Sequence, residues 1–149
     1  MSFEDGLVDG SAGRSIPFPT LTSIAYTLLR DAVDAATDDE KLTLIRAHPD
    51  LAGKLARSGT LTEASSREQT GLGLDRLTDE EFEQFSDLNR RYRERFGFPF
   101  IICARRTTQP GVIEAFDQRL RNSQKVEISE ALLQIHEIAR LRLEDDLVD

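Results

Sequence analysis

Helix-start signals recur along this chain, whereas the alternation of polar and apolar residues that marks a half-buried β-strand is almost absent. The stretches "TDDE" and "TDEE" each place a glutamate three residues after a threonine, which is the reciprocal capping box of an α-helix. Thr37 and Thr78 are therefore predicted to open helices. Only the apolar run "FPFIICA" is a candidate strand, and it follows a predicted helix and contains a proline. We expect an all-α fold.

Apolar periodicity predicts the other helices. A first helix carries Leu21, Ile24, Ala25, Leu28 and Ala32 along one face, and a short one begins after Thr62. The helix that Thr78 opens carries Phe82, Phe85, Asn89, Tyr92 and Phe96, and Gly97 is well placed to end it. Residues 109–122, after a Pro-Gly turn, and 127–147 complete the set. The expected architecture is a compact bundle of about seven or eight helices with a short apolar loop, "FGFPFI", near the site.

Length and composition set the outer limits of function. The chain has 149 residues, 39% hydrophobic and 31% charged, which fits one domain, predicted over residues 16–149 after a flexible tail over residues 1–15. Its net charge of -8 opposes nonspecific binding to nucleic acid or an anionic membrane. No apolar run approaches the roughly 20 residues of a membrane span. A single cysteine, Cys103, suits the reducing cytoplasm.

One histidine stands where a reactive side chain is well placed. In "LIRAHPDLAG", His48 precedes Pro49, and a residue before proline is driven out of the helical region, so His48 should lie just past a helix end. It could act in proton transfer, or it could only pack or cap there. His136 lies about 100° from the centre of its helix's apolar stripe, and we interpret it as structural.

A polar cluster, "TEASSREQTGLG", supplies a second candidate. A helix after Thr62 would leave Ser65, Glu68 and Gln69 on neighbouring faces. Taken alone, such a helix is most simply a solvated surface element. If it lay against His48, a carboxylate could tune that imidazole for proton transfer near neutral pH.

The final predicted helix contains an arginine in an unusual position. At about 100° per residue, Arg142 falls about 20° from Ile135 on the apolar stripe, whereas Arg140 falls about 140° away. A guanidinium on an apolar stripe either reaches out to solvent near the helix end or meets an anion. The second alternative predicts an anion-binding site. Asn89 also interrupts an apolar stripe, and we interpret it as a buried amide that ties helix ends together.

Four segments together resemble the 2-oxo-4-hydroxy-4-carboxy-5-ureidoimidazoline (OHCU) decarboxylase family of urate degradation. They are "LIRAHPDLAGKLA", "LTEASSREQTGLGLDRLT", "LNRRYRERFGFPFIICA" and "ALLQIHEIARLRL". The resemblance runs in order from Leu44 to Leu143. One segment departs from it, because the chain has "SIPFPTLTSIAY" where family members carry a segment like Ser-Pro-Trp-Val, and it contains no tryptophan.

The resemblance implies an all-helical decarboxylase, commonly a homodimer, that converts OHCU to (S)-allantoin without a metal or organic cofactor. It assigns catalysis to His48, Glu68 and Arg142. Its substrate-binding positions match Pro49, Ser65, Gln69, Phe98, Phe100 and Ile101. The alternative is a noncatalytic acidic interaction module in which His48 and Arg142 only hold helices together. A metal-dependent hydrolase is less favoured, because two histidines without an HExxH or CxxC pattern form no recognisable ligand set.

Overall fold

The computed structural model describes residues 20–53 and 61–147. These residues form six α-helices, with a 3₁₀ turn, Ala104–Arg106, between the fourth and the fifth. The helices are α1 (Leu21–Asp34), α2 (Asp38–Arg46), α3 (Glu63–Gly71), α4 (Asp79–Phe96), α5 (Gln109–Arg119) and α6 (Gln124–Asp146). The described part of the chain contains no strand, so the all-α prediction is confirmed, with six helices there against seven or eight expected. The tail predicted over residues 1–15 lies outside the described residues.

The threonines predicted to open helices cap them, either in reciprocal capping boxes or through a single hydrogen bond. Thr37 and Thr78 each accept a hydrogen bond from the N–H of the glutamate three residues on, and that glutamate accepts one from the threonine N–H. Thr62 caps α3 through the N–H of Ser65. Gly97 ends α4 at φ 80°, a left-handed conformation that glycine adopts without a steric penalty.

The bounds of the last two helices differ in part from the predicted ones. Thr108 caps α5, which begins at Gln109 as predicted but ends at Arg119, and Pro110 lies inside its first turn instead of in a preceding Pro-Gly turn. Proline is tolerated there because the first N–H groups of a helix have no partner within it. Ser123 caps α6, which therefore begins at Gln124, before the predicted start at Glu127. In the parts of the chain that are described, no helix is both long and apolar enough to cross a membrane.

Aromatic rings around Tyr92 of α4 form the centre of the core. The Tyr92 ring has four aromatic neighbours with centroids 4.6 to 6.3 Å away: Phe96, Phe98, Phe100 and Phe116. The Phe100 and Phe116 rings stack at 3.7 Å. The segment that follows Gly97 thus runs through the core as irregular chain. Its apolar run was the candidate strand of the sequence analysis, and it does not form a strand. It is buried by side chains from α4 and α5.

Helix α1 packs on α6, but the predicted apolar stripe of α1 is largely open to water. Its leucine and isoleucine side chains, Leu21, Ile24, Leu28 and Leu29, are 45% to 66% exposed. His136 of α6 is instead only 6% exposed, and its ring meets the Tyr26 ring of α1 edge-on at 6.5 Å. The structural interpretation of His136 is confirmed.

Candidate active site

Five of the polar residues singled out in the sequence, His48, Ser65, Glu68, Gln69 and Arg142, line one small cavity of about 40 Å³. It lies between the chain that follows α2, helix α3, the segment after Gly97, and α6. Its lining consists of His48, Pro49, Ser65, Glu68, Gln69, Phe100, Ile101, Ile102, Ala104, Ile138 and Arg142. Residues nearly a hundred positions apart in the chain therefore share one site.

His48 lies two residues beyond the end of α2, as the following proline predicted. Its Nδ1 is 2.9 Å from the carbonyl oxygen of Leu44. Because a carbonyl oxygen only accepts hydrogen bonds, Nδ1 carries the hydrogen in this arrangement and Nε2 keeps its lone pair. The Leu44 carbonyl thus sets both the tautomer and the orientation of the ring.

Burial is the main influence on the ionisation of His48, and it lowers the pKa of the imidazole. The positive charge of Arg142 lowers this pKa too, whereas the hydrogen bond to Leu44 and the negative charge of Glu68 raise it. The net shift is downward from the ordinary value. At neutral pH the ring is therefore mostly uncharged and able to accept a proton at Nε2.

Arg142 reaches the cavity from α6 and pairs with Glu68 of α3. Its Nε and Nη2 lie 2.9 and 2.7 Å from the two carboxylate oxygens, and Nη2 also lies 3.3 Å from the Ser65 hydroxyl. This is the fork-to-fork geometry that arginine adopts with a carboxylate. These bonds use Nε and Nη2 and do not engage Nη1. Arg140 pairs with Glu137 and Glu144 of its own helix, so the helix-face prediction that separates the two arginines is confirmed.

Glu68 is bonded to Arg142, and its influence on His48 is electrostatic. Both of its carboxylate oxygens accept hydrogen bonds from Arg142, and the His48 ring is oriented by a backbone carbonyl instead. Glu68 acts on His48 through its charge, and it balances the charge of Arg142 beside the imidazole. Sequence spacing could not show this, because the pair joins residues 74 positions apart.

Two side-chain amides brace the turn that carries His48. Gln69 accepts a hydrogen bond from the Ala52 N–H at 2.8 Å and donates one to the Asp50 carbonyl at 3.3 Å. Asn89 donates to the Leu51 carbonyl at 2.8 Å, as expected of a buried amide that ties elements together. Ala52 has φ 55°, a left-handed conformation that is unfavourable for alanine and needs such support. Gln69 thus shapes the site as well as lining it.

The apolar wall of the cavity differs from the expected one by a few residues. Phe100 and Ile101 line it, but Phe98 does not, because its fully buried ring packs against Tyr92 and Phe96 in the core. Three lining residues, Ile102, Ala104 and Ile138, were missed. Ile138 could have been found, since it shares the apolar stripe of Arg142, and the other two continue the run that begins at Phe98.

A larger cleft of about 450 Å³ adjoins the cavity. The two share Glu68, Ala104 and Arg142, so the ion pair stands between them. The cleft brings two further arginines, Arg67 and Arg105, toward the same side of the pair. A ligand larger than the inner cavity would extend past the ion pair into the cleft. No group of three or more metal-ligating side chains occurs in residues 20–53 and 61–147.

These features define the class of protein to which the chain belongs. A neutral imidazole, a cation, a carboxylate and a hydroxyl converge in a small and partly apolar cavity of an all-α protein, which is the arrangement of a small-molecule active site. The chain belongs to the OHCU decarboxylase family, since the family model with that description matches residues 5–144.

Individual relatives agree with this placement. A protein of Haloferax volcanii named 2-oxo-4-hydroxy-4-carboxy-5-ureidoimidazoline decarboxylase is 37% identical over 132 residues, which is 89% of this chain and 76% of that protein. The protein of the same name from Xenopus laevis is 33% identical over 139 residues, 93% of this chain and 79% of its own length.

Two crystal structures share the fold. One is OHCU decarboxylase in the presence of (S)-allantoin, with a TM-score of 0.70 and 23% identity over 89% of this chain and 86% of that one. The other is (S)-allantoin synthase, with a TM-score of 0.66 and 31% identity. The match covers 87% of this chain but only 39% of that longer one.

Proposed function

We propose that this protein removes CO2 from OHCU to give (S)-allantoin in urate degradation. The observation that carries the proposal is the neutral imidazole of His48 in the same small cavity as the guanidinium of Arg142. A site of this kind can hold an anionic substrate and move a proton. The names of the relatives supply the substrate.

The substrate's own chemistry suits so sparse a site. OHCU carries its carboxylate on a ring carbon next to an unsaturated, electron-withdrawing heterocycle. When the carbon–carbon bond to the carboxylate breaks and CO2 leaves, the electron pair can delocalise into that ring. A proton must then be delivered to one face of the ring carbon, so that the product is a single enantiomer. The protein has to position the substrate and transfer protons.

His48 is proposed to carry the proton. With Nδ1–H bound to the Leu44 carbonyl, Nε2 is the nitrogen that can accept a proton from the substrate and return one to the ring carbon. The lowered pKa keeps Nε2 free of a proton before the substrate binds. Fixed orientation of the ring would select the face that is protonated.

Arg142 is proposed to bind an anionic group of the substrate through the part of its guanidinium that Glu68 leaves open. Glu68 holds that guanidinium in place, and Ser65 and Gln69 add polar groups for the ureido and hydroxyl substituents. Pro49, Phe100 and Ile101 form apolar lining that excludes water and strengthens these polar contacts.

A coupled assay tests the proposal. Urate is oxidised to generate OHCU in situ, and the optical activity of the allantoin formed is followed with and without the protein. We expect faster formation of optically active allantoin, unaffected by a chelator. A rate equal to the spontaneous one would overturn the proposal and favour the noncatalytic interaction module.

Substitution of the two arginines of α6 gives a matched pair of variants. Arg142→Lys keeps the charge but replaces a planar fork by a point charge, which cannot hold Glu68 and a substrate anion together. We expect kcat/KM to fall roughly ten- to a hundredfold. Arg140→Lys is expected to be almost silent, because within the described residues Arg140 pairs with carboxylates of its own helix. Equal losses in the two variants at equal stability would contradict the assignment of Arg142.

We also propose that the protein is a homodimer and that the exposed face of α1 forms the interface. Leu21, Ile24, Leu28 and Leu29 present large apolar side chains to water along successive turns. A second copy can cover them with the same residues, because a two-fold interface buries one patch against itself. Burial of this surface would be favourable for both copies.

Light scattering on the purified protein tests the dimer. The wild-type protein should have twice the 16.8 kDa mass of the chain, and Leu28→Glu should reduce the mass toward that of one chain. Val126→Glu is the control, since Val126 is also half exposed but lies far from the α1 face. It is in the first turn of α6, about 15 Å along that helix from His136, whose ring contacts Tyr26 of α1. A monomeric wild-type protein would overturn the proposal.

A further inference from the structure

The wall segment of the site, residues 98–104, belongs to no strand, so its backbone polar groups need partners elsewhere. Two of them are satisfied by single side chains from neighbouring helices. The Ile101 carbonyl accepts a hydrogen bond from Nη1 of Arg119 in α5 at 2.7 Å, and the Cys103 N–H donates one to Oε1 of Gln134 in α6 at 2.8 Å. These two bonds hold the backbone on either side of Ile102.

Arg119 is itself fixed inside the core. Its Nε lies 2.8 Å from Oε1 of Glu127, and its side chain is 8% exposed. Glu127 is fully buried and also accepts hydrogen bonds from the Tyr92 hydroxyl and from Asn122. The guanidinium stands 4.4 Å from the centroid of the Phe100 ring. One side chain therefore holds both the carbonyl of Ile101 and the ring of Phe100, which are neighbours in the wall.

A buried ion pair by itself is weak evidence for stability, because desolvation of both charges offsets their attraction. Unlike an apolar side chain, Arg119 can fix the position of the groups that it bonds. Its planar guanidinium bonds a carboxylate and a carbonyl at once, and the angle between these two hydrogen bonds is set by the rigid shape of the group. This rigidity matters for the wall, since Phe100 and Ile101 face the cavity that contains His48 and Arg142.

We propose that Arg119 and Gln134 are positioning residues that hold the Phe100–Ile101 wall against the substrate, without touching the substrate themselves. The inference rests on the proposed decarboxylase function. A displacement of about 1 Å that arises far from the reacting atoms can still cost roughly a hundredfold in rate, so loss of either tether should lower activity without removing any group of the site.

Arg119→Lys tests the first tether against a control from the same network. Lysine keeps a charge near Glu127 but has no fork with which to bond the Ile101 carbonyl as well, so kcat/KM should fall roughly ten- to a hundredfold. Tyr92→Phe removes another hydrogen bond to Glu127 while the wall tether stays. We expect Tyr92→Phe to lower Tm but to keep kcat/KM within about twofold of wild type, measured well below both melting temperatures.

Hydrogen exchange of the 98–104 peptide separates this proposal from the proposed function. Exchange should be faster in Arg119→Lys than in Tyr92→Phe, whether or not the wild-type protein decarboxylates OHCU. An inactive wild type would overturn the function, and equal exchange in the two variants would overturn the tether. An active wild type with unchanged kcat/KM in folded Arg119→Lys would overturn positioning.

Gln134→Met tests the positioning proposal through the second tether if Arg119→Lys does not fold. Gln134 is only half-buried, and methionine preserves its length while removing the oxygen that accepts from the Cys103 N–H. A tenfold or larger loss of kcat/KM at unchanged Tm would support the proposal. A Gln134→Met variant with wild-type kcat/KM would overturn it.

Discussion

His48→Ala is expected to reduce allantoin formation to the spontaneous background while the protein remains folded. Loss of the group that transfers the proton should cost a factor on the order of 10² to 10⁴ in kcat. The fold should tolerate the change, because the ring is only half-buried and the hydrogen bond that it makes within the described residues runs to Leu44, four positions earlier. The measurement is the coupled optical assay at saturating OHCU, with circular dichroism as the test of folding.

His136→Ala is the matched control for this variant. His136 is buried between α1 and α6, outside the cavity lining, so its loss should lower Tm and leave kcat nearly unchanged. Near-normal turnover by folded His48→Ala would contradict the assignment of His48 as the residue that transfers the proton.

In the wild-type protein, kcat/KM should fall as the pH drops through the lowered pKa of His48, since protonation removes the lone pair at Nε2.

Glu68→Gln is expected to lower the rate by a factor on the order of 10² to 10⁴. The amide keeps the shape of the side chain but removes the charge that balances and orients Arg142. The same charge raises the pKa of His48, so its removal should lower that pKa further. The acid limb of the kcat/KM profile should therefore move to lower pH in this variant.

Glu63→Gln on the same helix separates a site effect from a general effect of charge. Its carboxylate is 90% exposed and lies 3.8 Å from Arg67, a pair whose loss should change little. We expect wild-type kinetics and an unshifted pH profile for Glu63→Gln. If Glu68→Gln also kept the wild-type rate and profile, Glu68 would have no part in catalysis.

The site is assembled from two irregular segments held by side chains. The turn after α2 is braced by Gln69 and Asn89, and the wall is tethered by Arg119 and Gln134. Helices provide rigid points from which these side chains reach, while the segments they hold present His48 and the wall to the cavity. Asn89, Arg119 and Gln134 lie outside the cavity lining, so the positioning we propose depends in part on side chains that line no part of the cavity.

Sequence alone determined the features that arise within one or two turns of chain. The capping boxes at Thr37 and Thr78 and the helix end at Gly97 were predictable, because each depends on a few adjacent residues. The position of His48 past a helix end follows from Pro49 in the same way. Helical periodicity also separated Arg142 from Arg140, since a rotation of about 100° per residue is a local property.

Tertiary structure alone decided which of these features meet. The pairing of Arg142 with Glu68, the burial of Phe98 and the tether from Arg119 to Ile101 all join residues on different elements. Periodicity also misjudged α1, whose apolar stripe is exposed, and it did not show that α1 covers His136 of α6. Periodicity reports which side of a helix is apolar, but the partner of that side is set by the packing of distant segments, and no local pattern carries that information.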